Sequence, residues 1–130
     1  MKQLYTCLLL IVIVSACLPT DKRYSIWIKN NSDEEVYFVV SNYSDTLLPQ
    51  TNKYVNLINA NDRMSIDSDQ PWEEVFSINY PKDTLQVFYF NVDTINEYNW
   101  DIIRDEYKII SRRVYSKEYL INNNWTITYP

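Results

Sequence analysis

Hydrophobic and polar positions alternate along much of the chain, and that alternation predicts strands. Ile26 and Ile28 alternate with Ser25, Trp27 and Lys29, which puts the isoleucines on one face of an extended segment. A turn cluster, Asn30-Asn31-Ser32-Asp33, separates them from 36–40, a stretch rich in β-branched and aromatic residues. The two segments read as an antiparallel hairpin joined by four to five residues. Residues 42–53 read as a loop through Asp45, Pro49 and Asn52. Leu57-Ile58 and Met64-Ser65-Ile66 read as short strands on either side of an Asn59–Asp62 turn. Ser68-Asp69-Gln70-Pro71 precedes Trp72-Glu73-Glu74-Val75-Phe76. A capping residue, an early proline and acids in the first turn predict a helix of one or two turns there.

Tyr80-Pro81 breaks the chain, and residues 84–92 follow as the strongest strand. Leu85, Val87, Tyr89 and Asn91 share one face; Gln86, Phe88, Phe90 and Val92 share the other. A segment apolar on both faces belongs in the middle of a sheet. The period then changes. Ile95, Trp100, Ile103, Tyr107 and Ile110 fit one helical stripe, with Thr94 or Asn96 as its cap. Residues 107–114 fit the end of that helix and a strand equally well. Ser116 with Glu118–Leu120 predicts a further turn of helix. Trp125, Ile127 and Tyr129 alternate with Thr126 and Thr128, so a final strand should dock in the sheet and bury Trp125 or its neighbours. So many adjacent strands exclude a parallel α/β sheet. The expected fold is a β-dominated α+β domain, antiparallel and sandwich-like, with one or two short helices.

The N-terminus follows a different logic. Lys2 is the only charge before Cys17, and residues 8–14 contain no polar side chain. A basic start, a short apolar run and small residues before a cut site describe a secretory signal. The run is about half the ~20 residues that a membrane-spanning helix needs. Val14-Ser15-Ala16-Cys17 resembles the lipobox of bacterial lipoproteins. The resemblance implies cleavage before Cys17 and lipidation of that cysteine, palmitate included. On this reading residues 1–16 are the signal peptide, 17–23 a tether, and 24–130 a single β-rich domain. Removing 16 of 130 residues leaves 114, the size of one domain.

Composition narrows the chemistry. The formal net charge is −5 and becomes −6 when Lys2 is removed, which disfavours nucleic acid. Cys7 falls in the signal and Cys17 carries the lipid, so no thiol remains for a disulfide, a metal or a nucleophile. The chain has no histidine, the commonest general base and metal ligand. It also has no glycine, which removes the Walker loop, the dinucleotide fingerprint and the nucleophile elbow. Turns that need positive φ must therefore use other residues, and the fourteen asparagines are suited to them.

Several further segments carry a family resemblance. They are the hairpin around Asn30-Asn31-Ser32, Asp83-Thr84-Leu85, Tyr107-Lys108-Ile109-Ile110 with Arg113, Ser116 and Leu120, and the ending Asn124-Trp125-Thr126-Ile127-Thr128-Tyr129-Pro130. With the lipobox they resemble small lipoproteins of gut Bacteroidetes. The resemblance implies a cell-envelope protein lipid-anchored to the outer membrane, and carries over no catalytic residue. In the lipoproteins it resembles, surface export goes with acids just after the cysteine; Leu18–Arg23 holds one acid and two bases, so the resemblance implies the periplasmic face over the cell surface. Asp45-Thr46-Leu47, Asp83-Thr84-Leu85 and Asp93-Thr94-Ile95 match the sequon that these bacteria O-glycosylate, with Thr46 the first candidate and Thr84 and Thr94 the others.

Candidate chemistry is sparse. Glu34-Glu35, Glu73-Glu74 and Asp105-Glu106 are sequence neighbours, and neighbours seldom face one glycosidase cleft. Asp62, Asp67 and Asp69 lack the spacing and central glycine of a calcium loop. No catalytic residue, metal ligand or cofactor is assigned. Four tryptophans and twelve tyrosines remain as ligand signals, with Trp27 and Trp72 the first candidates for exposed contact rings. The reading is a non-enzymatic envelope lipoprotein that acts through protein contacts, as an accessory or immunity-type protein. Its alternative is a carbohydrate-binding lipoprotein with an aromatic platform.

Overall fold

A strand with two apolar faces needs cover on both sides, and Thr84–Phe90 sets the architecture for that reason. The computed structural model of the protein describes residues 23–42 and 46–130. Thr84–Phe90 is β5 of seven strands among the described residues. The others are β1 (Tyr24–Asn30), β2 (Val36–Ser41), β3 (Asn56–Ile58), β4 (Arg63–Ser68), β6 (Ser111–Ser116) and β7 (Thr126–Tyr129). They form one sheet of order β4-β1-β7 and another of order β3-β2-β5-β6. Every pairing is antiparallel except that of β1 with β7. Four short helices accompany them where one or two were expected: α1 (Trp72–Asn79), α2 (Val92–Glu97), α3 (Trp100–Asp105) and α4 (Lys117–Asn122). The fold is β-dominated α+β, two sheets packed as an open sandwich.

The sheets meet through one core. Ile26 and Ile28 of β1 and Ile127 of β7 pack against Phe38, Leu85, Val87 and Tyr89, with Trp72 and Phe76 of α1 and Leu120 of α4 closing the margins. The opposite face of the four-stranded sheet has a second core of Val39, Phe88 and Phe90. Its cover is Leu48 and Ile103, with Val55, Ile95, Trp100 and Ile109 packed around them. The molecule thus has three layers: the small sheet, the large sheet, and an outer layer built from loop 46–55 and residues 92–110.

The expected hairpin does not form. β1 and β2 lie in different sheets, and Asn31–Glu35 carries the chain from one to the other. Alternation is the same in a paired strand and in one that crosses a sandwich, so the pattern could not separate the two. Asn30 decides between them. Its side chain is fully buried, and its amide donates to Glu34 O at 2.8 Å and Asn59 O at 3.1 Å. Its side-chain oxygen accepts from Ser32 N at 3.0 Å and Ser32 Oγ at 2.6 Å. The β3–β4 connection crosses back beside it: Asn61 N donates to Ser32 O at 3.1 Å, and Asn30 N donates to Asp62 O at 2.8 Å.

The helical stripe from Ile95 to Ile110 is broken in two. Asn99, not Thr94 or Asn96, caps α3 by accepting from Ile102 N, and α2 starts after Asn91 without a side-chain cap. Residues 111–116 leave the helix as strand β6, which settles the open alternative. The turn that permits this has Tyr107 at φ 54°, with Lys108 N donating to Ile103 O and Tyr107 N to Arg104 O. That is the Schellman closure, usually built on glycine. α4 closes the same way on Asn124 at φ 50°, with Trp125 N donating to Leu120 O. Asn61, Asp83 and Asn124 take positive φ as a glycine-free chain requires, but Lys82, Tyr107 and Trp125 do so too. Trp125 is half-buried, its ring 6.1 Å from Phe76, while Ile127 is fully buried.

Candidate functional site

The outer layer differs from the rest of the surface in chemistry. Residues 92–108 hold five carboxylates against two bases. Both bases are engaged internally: Arg104 pairs with Asp101 at 3.3 Å and Asp105 at 3.2 Å, and Lys108 pairs with Glu106 at 2.8 Å. Lys108 Nζ donates to the Glu106 carboxylate, which raises the Lys108 pKa, so this cation is held by its neighbour. Its ammonium also lies 4.5 Å from the Tyr98 ring centre. Asp93 and Glu97 have no ion pair among the described residues.

Two open clefts meet there. One of about 400 Å³ is lined by Asp93, Thr94, Glu97, Tyr98, Lys108 and Ile110 among others. The second, about 420 Å³, is lined by Glu34, Glu35, Asn91, Val92 and Asp93. They share Asn91 and Asp93 in their linings, so acids from the β1–β2 crossing and from α2 border adjoining clefts. Of the ten exposed large apolar side chains among the described residues, six stand on this layer, Leu47, Tyr54, Tyr98, Ile102, Tyr107 and Ile110; Ile78, Val114, Tyr119 and Ile121 stand elsewhere. Single exposed apolar residues need no explanation, whereas a grouping of them does.

The sequence-derived candidates fall in different places. Cys17 lies outside the described residues. Thr46 is exposed in the loop. Thr84 opens β5, half-buried, and its hydroxyl donates to Pro81 O at 3.3 Å. Thr94 is half-buried in α2 and lines the larger cleft. Trp72 is not an exposed ring: it is 6% exposed, a core residue of α1 whose indole nitrogen donates to Tyr24 O at 3.0 Å. Trp27 projects from the solvent face of β1, but the Arg63 guanidinium covers its ring at 4.4 Å. The two rings therefore form no common platform. Among the described residues no group of acids is placed to hold a metal ion. Asp67 accepts from Ser25 Oγ at 2.7 Å, which lowers its pKa.

The sequence pattern assigned no site role to Asp93, Glu97, Tyr98 or Ile110, and set Glu34-Glu35 aside as neighbouring acids. The signal available was the acid excess of 92–108 for Asp93 and Glu97, and the place of Tyr98 off the helical stripe; Ile110 was on that stripe and nothing marked it as exposed. Among the described residues no helix is long and apolar enough to cross a membrane. No protein-family model matches the chain, and no curated protein or solved structure matches it.

Proposed function

We propose that the protein is a non-enzymatic lipoprotein of the cell envelope, anchored to the outer membrane through Cys17, which acts by binding another envelope protein through its outer layer. The observation that carries this reading is that six of the ten exposed large apolar side chains among the described residues stand on one layer, bordered by Glu34, Glu35, Asp93 and Glu97, which form no ion pair among the described residues. Such a surface fits a partner that presents apolar groups among basic ones, since complementary charge steers encounter and fixes register. An accessory or immunity-type role matches it. The carbohydrate alternative has less support, because Trp72 is buried and Trp27 lies beneath Arg63.

The test uses the lipidated protein, purified from its own envelope with its bound proteins. Glu97→Lys combined with Ile110→Asp changes two exposed positions, where substitutions usually alter stability by less than about 0.5 kcal/mol. The expected result is a partner recovered with the native chain and lost from the double variant. Recovery of the same proteins by both would contradict the reading. Separately, Cys17→Ala should abolish palmitate labelling, because it removes the thiol that the proposed lipidation requires.

A further inference from the structure

On the inner face of β5 and β6 lies a group of polar side chains that the fold does not satisfy. Tyr89 is wholly buried and Tyr115 is 8% exposed; among the described residues neither hydroxyl makes a hydrogen bond of good geometry, and the two phenols lie close enough to couple with each other. Ser111, the register partner of Tyr89, has a buried Oγ in the same condition. Arg113 lies between Ser111 and Tyr115 in the strand, and alternation puts all three on one face, with Val87 opposite Arg113. The Arg113 guanidinium is 5.9 Å from the ring centre of Tyr129, and that ring is stacked on Tyr89 at 4.4 Å. Arg113 has no hydrogen bond or ion pair among the described residues, whereas neighbouring Arg112, on the other face, donates to Gln86 Oε1 at 2.6 Å. Burial raises the Tyr89 pKa; Tyr115 raises it further and Arg113 opposes the rise, so all three groups are within electrostatic reach of one another.

Unpartnered buried hydroxyls are rare because each costs about 1–3 kcal/mol. Here they gather beside a half-buried cation that forms no ion pair among the described residues. None of β5, β6 and β7 contains an acid, although the chain as a whole is acidic. β6 and β7 are edge strands of their respective sheets, so the group sits at a lateral margin of the sandwich.

We infer that Arg113, Tyr89 and Tyr115 form a binding site for a carboxylate, entered between the edges of β6 and β7. A guanidinium offers a fork of N–H donors, and two phenols add O–H donors, which suits the two oxygens of a monoanion. A phosphate dianion would bring two charges to one cation, leaving one uncompensated where burial penalises it. The site is on the face opposite the outer layer and does not depend on the function proposed above.

The full-length chain in detergent is titrated with sodium acetate against sodium chloride at constant ionic strength, following the Arg113 Nε–Hε resonance and the melting temperature. A saturable shift and a rise in melting temperature are expected with acetate and not with chloride. Arg113→Gln should weaken acetate binding by roughly 10- to 100-fold, the span expected for hydrogen bonds to a charged group. Tyr115→Phe should weaken it several-fold, while the acetate-free variant melts no lower than the native chain because an unsatisfied hydroxyl has been removed. Absence of a saturable response, an equal response in Arg113→Gln, tighter binding of inorganic phosphate than of acetate, or destabilisation of the acetate-free protein by Tyr115→Phe would each overturn the inference.

Discussion

The two faces of the four-stranded sheet have equally buried residues but unequal cover. Tyr89 points inward from β5 and Phe88 and Phe90 point outward, and all three are fully buried. Inward, the cover is a second sheet whose strands hold one another by backbone hydrogen bonds, with β1 paired on both sides. Outward, the cover is a loop and two helices of six residues each. Isolated helices below about 12–15 residues are marginal in water, so α2 and α3 hold only through the side chains they place on the sheet. Equal burial therefore does not mean equal stability. The inner face is the structural one, and the outer layer can loosen without unfolding the sandwich.

The largest effect should come from breaking the inner cover. Removing residues 125–130 deletes β7, with its fully buried Ile127 and the Tyr129 ring stacked on Tyr89. Losing several such groups at a few kcal/mol each exceeds most of the roughly 5–15 kcal/mol that holds a domain. No cooperative thermal transition should remain; a transition near that of the full chain would place the strand outside the cooperative unit.

A matched pair sharpens the comparison. Phe38 is fully buried on the inner face and Phe88 on the outer. Phe38→Ala should cost about 4 kcal/mol in chemical denaturation, and Phe88→Ala about 2–3, because the looser cover can collapse into the cavity. Equal costs would remove the asymmetry. Trp100→Ala should be smaller again and local. It deletes the hydrogen bond from Trp100 Nε1 to Pro49 O at 2.9 Å and the ring contact with Phe90, at about 1–2 kcal/mol. Its signature should be faster proteolysis within 46–55 with the main transition kept. Unchanged proteolysis there would show that the indole does not hold the layer.

The smallest effects concern the two helix closures made without glycine. Asn124→Gly, closing α4 beside the inner core, should gain about 0.5 kcal/mol by relieving positive φ. Tyr107→Gly relieves the same kind of strain in the outer layer but loses the edge-on contact with Phe88, so its net effect should be near zero. Equilibrium unfolding of the two variants side by side checks the difference.

The inner face was the more legible of the two. Alternation in β1, β5 and β7 identified which of their residues share a face, β-branched and aromatic content identified β2 as a strand, and apolar residues on both faces identified β5 as central. Alternation fixes which side a residue faces, not which strand lies beside it, so the hairpin reading failed where Asn30 turns the chain between sheets. The outer layer was legible as a stripe but not as elements. Ile95, Trp100 and Ile103 do face the sheet, yet the break at Tyr98-Asn99 depends on a local cap that competes with helix continuation. Burial of Trp72 followed from a tertiary contact with Tyr24 across 48 residues, which no local pattern contains.

Hydrogen exchange of the full-length chain mixed with envelope extract, compared with the purified chain, tests the division of labour most directly. Added protection should appear in residues 46–55 and 92–110 when the proposed partner binds, with β1, β4 and β7 unchanged. No added protection in those two segments, or protection confined to the three-stranded sheet, would contradict the account.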